Sequence, residues 1–176
     1  MRISQKEMGK MEQYEIRLIQ KEELPILEDL LYEAIFQSSA DKLAREIIFE
    51  PELFQYIEDF GREEDHCVVA VIEGEIVGAA WVRVLAGEIR GYGNIDNQTP
   101  ELAISLLPHY RKKGIGRALM AELIKLLRTK GYQQISLSVD KANDAVKFYE
   151  SLGFQLLDQR DEDYIFVLKL LENTNI

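Results

Sequence analysis

The chain has 176 residues, 47% of them hydrophobic, and a formal net charge of −10. That length supplies one sizeable core and is short for two, and the charge excludes a general binder of nucleic acid or anionic membrane, which would gather Lys and Arg against phosphates. The single cysteine, Cys67, has no internal disulfide partner and lies in the apolar run Cys67 to Val71, which reads as a buried strand.

Residues 1–11 are polar and aperiodic and read as a tail, with Met11 an alternative start to Met1; 12–172 reads as one domain. No apolar run near the N-terminus could serve as a signal-peptide core, so the expected location is the cytoplasm. Tyr14 to Ile19 alternates as a strand, and Lys21 to Ala34 sets Leu24, Leu27, Leu30, Leu31 and Ala34 at helical spacing. Phe36 to Ala40 reads as a loop. The pattern predicts a second helix from Ala40 to Phe60, broken near Pro51 and closed by Gly61. A hairpin follows, Cys67 to Glu73 and Ile76 to Leu85, turning at Glu73-Gly74-Glu75. Ala86 to Asn94 is a glycine-rich loop whose Gly-x-Gly has no strand before it and no helix after it, so it is not a dinucleotide fingerprint. A strand from Glu101 to Leu107 stops at Pro108 and leads to a helix from Gly114 to Lys130, with Ile115, Leu119, Leu123, Leu126 and Leu127 on one side. Gln134 to Val139 is a strand, Asn143 to Leu152 a short helix ended by Gly153, and Phe154 to Gln159 and Tyr164 to Leu170 close the chain as strands. The order β α α β β β α β α β β predicts an α+β, or mixed α/β, single sheet.

The most informative stretch runs from the end of the Glu101 strand into the long helix: Pro108-His109-Tyr110-Arg111-Lys112-Lys113-Gly114-Ile115-Gly116-Arg117. A helix's first turn leaves N–H groups unpaired and carries a partial positive charge, which suits a phosphate. Gly114 and Gly116 remove Cβ atoms that would crowd it, and Arg111, Lys112, Lys113 and Arg117 supply cations in an acidic chain. The plain alternative is an ordinary helix start with a solvated basic face. The absence of Gly-Lys-Ser/Thr disfavours a nucleoside-triphosphate loop, and no acidic ribose reader follows about twenty residues on.

Arg111-Lys112-Lys113-Gly114-Ile115-Gly116 resembles the Arg/Gln-x-x-Gly-x-Gly/Ala coenzyme A signature of the GCN5-related N-acetyltransferase (GNAT) superfamily. A second block, Asn143-Asp144-Ala145-Val146-Lys147-Phe148-Tyr149 through Gly153-Phe154, is similar to the family's Asn-x-x-Ala/Val-x-x-Phe/Leu-Tyr-x-x-x-Gly-Phe. The resemblance implies a mostly antiparallel mixed sheet of about seven strands with about four helices and a splay between strands 4 and 5. It further implies acetyl-coenzyme A as co-substrate, no metal, and a small-molecule or peptide amine as acceptor. Nucleic acid and membrane are not expected partners, while homodimers are common among relatives.

Carried over residue by residue, the resemblance places the pyrophosphate on Arg111, Lys112, Lys113, Gly114, Ile115 and Gly116, with Arg117 and Ala118 opening the helix. The pantetheine arm would pair with main-chain groups of Ile104, Leu106 and Leu107. Asn143 reads structurally as a helix cap, to which the family adds a coenzyme A contact. Tyr149 corresponds to the family's general acid; its phenol, near 10, lies within about two units of a cysteine-like thiol, although packing beside Phe148 and Leu152 would also explain it. Glu101 opens the fourth strand and shares a face with Ala103 and Ser105; the resemblance, whose members often hold a catalytic glutamate or a water relay on this strand, makes it the expected base, directly or through water, against a solvated strand-end charge. Trp81, Arg83, Tyr92 and Asp96 are expected to line the acceptor pocket, and the loops Phe36 to Ala40 and Leu85 to Pro100 to select the acceptor. The second expectation for function is a non-catalytic acyl-coenzyme A sensor or scaffold.

Overall fold

The computed structural model describes residues 13–35 and 42–171; the predicted tail, and the loop from Phe36 to Ala40, lie outside them. Seven strands form one sheet: β1 (Glu15–Leu18), β2 (His66–Ile72), β3 (Glu75–Arg83), β4 (Glu101–Leu106), β5 (Gln134–Asp140), β6 (Gln155–Gln159) and β7 (Asp163–Lys169). Their spatial order is β1-β2-β3-β4-β5-β7-β6. All neighbours run antiparallel except β4 and β5. Parallel strands need a crossover, and α3 (Ile115–Thr129) supplies it. The other helices are α1 (Ile26–Ala34), α2 (Pro51–Phe54) and α4 (Ala145–Ser151).

The two sheet faces carry separate cores. On one, the α3 stripe of Ile115, Leu119, Met120, Leu123 and Leu127 is buried on Val68, Ala80, Leu102 and Leu137. Full burial of each such side chain contributes about 2 kcal/mol relative to exposure. On the other, Leu27, Leu30 and Leu31 of α1 pack with Ile48, Tyr56, Val69 and Trp81. The alternation of β4 assigns Leu102, Ile104 and Leu106 to the α3 side and Ala103 to the α1 side. Ser105 confirms the parity by donating to Leu30 O of α1 at 2.6 Å.

The predicted helix over 40–60 is not formed in its described part, 42–60. Arg45–Phe49 is a 3-10 turn and Pro51–Phe54 a single helical turn. Beyond it the carbonyls that a longer helix would use are taken by side chains from β3: Arg83 Nη1 bonds Gln55 O and Glu58 O, both at 2.7 Å, and Trp81 Nε1 bonds Tyr56 O at 3.1 Å. Among the described residues, no helix is long and apolar enough to cross a membrane.

Candidate active site

β4 and β5 meet at one bridge, Glu101 opposite Ser136, sealed by Ser136 N–H donating to Pro100 O at 3.1 Å. Beyond it the strands diverge toward their C-terminal ends and leave a slot. Leu107 N–H turns the other way, to Val77 O at 2.8 Å, so by alternation Ile104 and Leu106 present their main chain to the slot and Leu107 presents its to β3. The expected trio is therefore reduced to Ile104 and Leu106. Leu106 O accepts from Arg111 Nε at 3.0 Å, while the Arg111 guanidinium also pairs with Glu33 of α1 at 2.8 Å.

At the wide end of the slot, Lys112 (φ 60) and Gly114 (φ 87) adopt the left-handed region and turn the chain into α3. The first α3 bond is Ala118 N–H to Gly114 O, so the N–H groups of Ile115, Gly116 and Arg117 have no helical carbonyl to meet. The two glycines have different reasons. Gly114 carries a positive φ that penalises any Cβ. A Cβ on Gly116 would meet only Leu106 and Phe148, each at an ordinary 3.7 Å, and glycine there weakens the helix by about 1 kcal/mol relative to alanine. The packing of the protein itself gives no cause for a glycine there. Arg117 reaches across to Ser151 Oγ at 2.7 Å and sits over the Phe148 ring, and Lys113 sits over Tyr110.

Asn143 Oδ1 accepts from Ala145 N–H at 2.9 Å, which is the capping role, and its amide nitrogen is not engaged by that bond. Tyr149 is half-buried on the α3 side, its ring edge-on to Phe154 at 5.6 Å. Burial pushes its phenol up to about 12. It therefore stays protonated at neutral pH and has a proton to donate.

Glu101 lies on the opposite face and is 3% exposed. Its Oε1 accepts from the Tyr56 hydroxyl and from Gly93 N–H, the latter at 2.7 Å. Its Oε2 is buried with no hydrogen-bond partner among the described residues. Burial pushes the carboxyl up to about 7, only partly offset by Tyr56, Gly93 and the charge of Arg160. Tyr56 in turn accepts Tyr92 N–H at 3.0 Å, and its own acidity is suppressed by burial and by the charge of Glu101. Gly93 is gripped from its other side by Ser136 Oγ on its carbonyl at 2.7 Å, and a Cβ there would come within 2.6 Å of the β5 main chain. Gly91 stands over the carboxylate, where a Cβ would overlap Oε2.

The four residues expected at the acceptor pocket separate. Tyr92 is 47% exposed beside this cluster. Asp96 closes its own turn: burial pushes its carboxyl up, but bonds from Gln98 N–H, Thr99 N–H and the Thr99 hydroxyl hold it below its ordinary value. Trp81 and Arg83 are fully buried and bound to the 55–65 segment; Arg83 forms a buried ion pair with Asp65 at 2.7 Å. Their side chains leave no face for an acceptor, because a guanidinium in the core must spend its donors on the protein. Sequence reasoning passed over Tyr56, Gly91, Gly93 and Ser136. The glycines flanking Tyr92 were the available signal, since paired glycines away from a dinucleotide fold mark a close approach of main chain.

Residues 28–154 match the model of the acetyltransferase (GNAT) family. The chain is 39% identical to mycothiol acetyltransferase of Thermobispora bispora over 46% of its own length and 27% of that protein's. It is also 39% identical to the [ribosomal protein bS18]-alanine N-acetyltransferase of Haemophilus influenzae, over 35% of this chain and 42% of the relative. The chain thus spans less than half the length of either. In fold, the crystal structure of PaiA N-acetyltransferase from Thermoplasma acidophilum in complex with coenzyme A superimposes with a TM-score of 0.64 at 21% identity, covering 89% of this chain and 99% of that one. With the matched span running from α1 to the start of β6 and enclosing the slot, the turn at 111–117 and Tyr149, the chain belongs to the GNAT acetyltransferase family.

Proposed function

We propose that this protein transfers an acetyl group from acetyl-coenzyme A to a primary amine by direct attack on the thioester. The observation that carries the reading is the slot itself: an unpaired β4 edge runs from the N–H-lined turn at 111–117 toward Glu101, with Tyr149 on one face of the sheet and Glu101 on the other. The residues fit coenzyme A. Backbone N–H groups and cations suit a pyrophosphate, and Ile104 and Leu106 suit an extended amide-bearing arm.

Glu101, through Oε2 or an intervening water, takes the proton from the attacking amine as nitrogen bonds to the carbonyl carbon. Tyr149 gives its proton to the sulfur as the C–S bond breaks, so the products are an amide and a free thiol. The relatives' names carry unlike acceptors, so the reading for this chain stops at a small-molecule or peptide amine. A buried carboxyl near neutrality beside the slot, together with a protonated phenol, favours turnover over a silent sensor.

A thiol-release assay with acetyl-coenzyme A over a panel of amines tests the proposal, with the acetylated product confirmed by mass. Tyr149→Phe is expected to keep ligand-induced thermal stabilisation and to lower kcat by about 10²-fold to 10⁴-fold. Wild-type turnover in that variant would return Tyr149 to packing, and stabilisation by the ligand without turnover on any amine would leave the sensor.

A further inference from the structure

The Tyr56–Glu101 contact lies outside every motif in the chain. The two residues are 45 positions apart, on different elements, and the hydroxyl that joins them is held from three directions. The Tyr56 carbonyl is pinned by Trp81 Nε1. Flanking carbonyls, Gln55 O and Glu58 O, are pinned by Arg83, which Asp65 neutralises. The phenol oxygen accepts Tyr92 N–H, which orients its own hydrogen toward the carboxylate. Both donors to Glu101, Tyr56 and Gly93, fall on Oε1, and Oε2 is left bare.

We propose that Tyr56 is the positioning residue of the proton acceptor: it clamps Oε1 of Glu101 so that Oε2 alone receives the proton. The proposal rests on the acetyl-transfer reading for its consequence in rate, and on the cluster alone for its consequence in charge. The charged and titratable groups about Glu101 are few. From the 55–65 segment they are Tyr56 and, behind it, Asp65; from β3, the register partner Arg83, whose charge Asp65 takes up. From the glycine-rich loop comes Tyr92, and from the turn after β6, Arg160, which bonds Tyr92 O at 2.8 Å. β5 contributes the uncharged Ser136. Among these, only Tyr56 both touches the carboxylate through its side chain and is removable without changing a charge. A hydrogen bond to the ionised form favours that form, so removing the hydroxyl raises the pH at which Glu101 gives up its proton.

Two readouts test the inference. The first needs no turnover: carbon-13 titration of the Glu101 carboxyl, assigned by its loss in Glu101→Gln, followed in wild type and Tyr56→Phe. The expected result is a midpoint about one pH unit higher in Tyr56→Phe; an unmoved midpoint overturns the proposal. The second is kcat/KM against pH on one amine, expressed as the ratio of variant to wild type, in which the amine's own titration cancels. The ratio is expected near one-tenth below the wild-type midpoint and to rise as pH climbs past both midpoints. A ratio flat across pH, or an equal fold-loss from Tyr56→Phe in the Glu101→Gln background, assigns Tyr56 to packing alone and overturns it. Gly91→Ala provides the independent variant. Gly91 has no positive φ, so alanine costs the backbone little, but its methyl would overlap Oε2 and press on the carboxyl carbon, so the Glu101 carboxylate must shift. The variant is expected to lower kcat with little change in KM for the thioester; unaltered kcat would remove Oε2 from the proton path. If wild type cleaves no thioester with any amine, the acetyl-transfer reading fails, and the carbon-13 midpoint still decides whether Tyr56 sets the charge of Glu101.

Discussion

A carboxyl group in the core with one bare oxygen leaves a signature in stability as well as in rate. The folded value for Glu101, about 7, lies above the ordinary 4.5, so the native protein keeps a proton that the unfolded chain has already released. Stability is therefore highest below about pH 4.5 as far as this group is concerned, and it falls as pH rises to about 7, by on the order of 3 kcal/mol. Glu101→Gln, which cannot titrate, is expected to flatten this fall; urea midpoints at pH 5 and pH 8 measure it, and an equal pH dependence in both proteins would place the proton elsewhere. The position of Glu101 was legible, because a strand's period of two puts it on the face opposite Leu102 and Ile104. Its partner was not: nothing local to Tyr56 distinguishes it from any other aromatic in a predicted helix, and the pairing exists only once β3 has drawn the 55–65 segment against the sheet.

The elements divide along the same line. The strands and α3 fall within about two residues of their expected ends, since alternation and Pro108 are local signals. The 40–60 segment departs from the expected helix because, past Pro51–Phe54, the Gln55, Tyr56 and Glu58 carbonyls are taken by Arg83 and Trp81, and tertiary donors leave no trace in periodicity. The turn at 111–117 allows the sharpest element-scale prediction, because its two glycines are separable. Gly116→Ala, the alternative that the signature itself admits, is expected to leave the ligand-free protein as stable or more stable, by up to about 1 kcal/mol, and to keep the thermal stabilisation conferred by coenzyme A. Gly116→Glu is expected to abolish that stabilisation. Undiminished stabilisation by coenzyme A in Gly116→Glu would move the anion away from this helix start.

At the scale of the whole molecule, the α1-side layer is tied to the sheet by an ion pair and not by apolar contact alone. Arg83→Met leaves the Asp65 carboxylate buried and unpaired, and is expected to cost about 3–5 kcal/mol in denaturant unfolding; Arg83→Met with Asp65→Leu should recover most of it, since an apolar pair of similar volume often matches a buried salt bridge. Full loss in the double variant would show that the Gln55 and Glu58 carbonyls are the dominant demand. The divergence of β4 and β5 has a consequence at this scale too. With one bridge between them, the seven strands behave as a four-stranded and a three-stranded leaf stitched at a single point and strapped by α3. The amides of Ile104 and Leu106 line the open seam, so they should exchange with solvent deuterium as edge amides do, although they sit in the middle of the sheet. Whatever lies along that seam becomes the missing rung between the leaves, and its departure returns the molecule to a book held open at its spine.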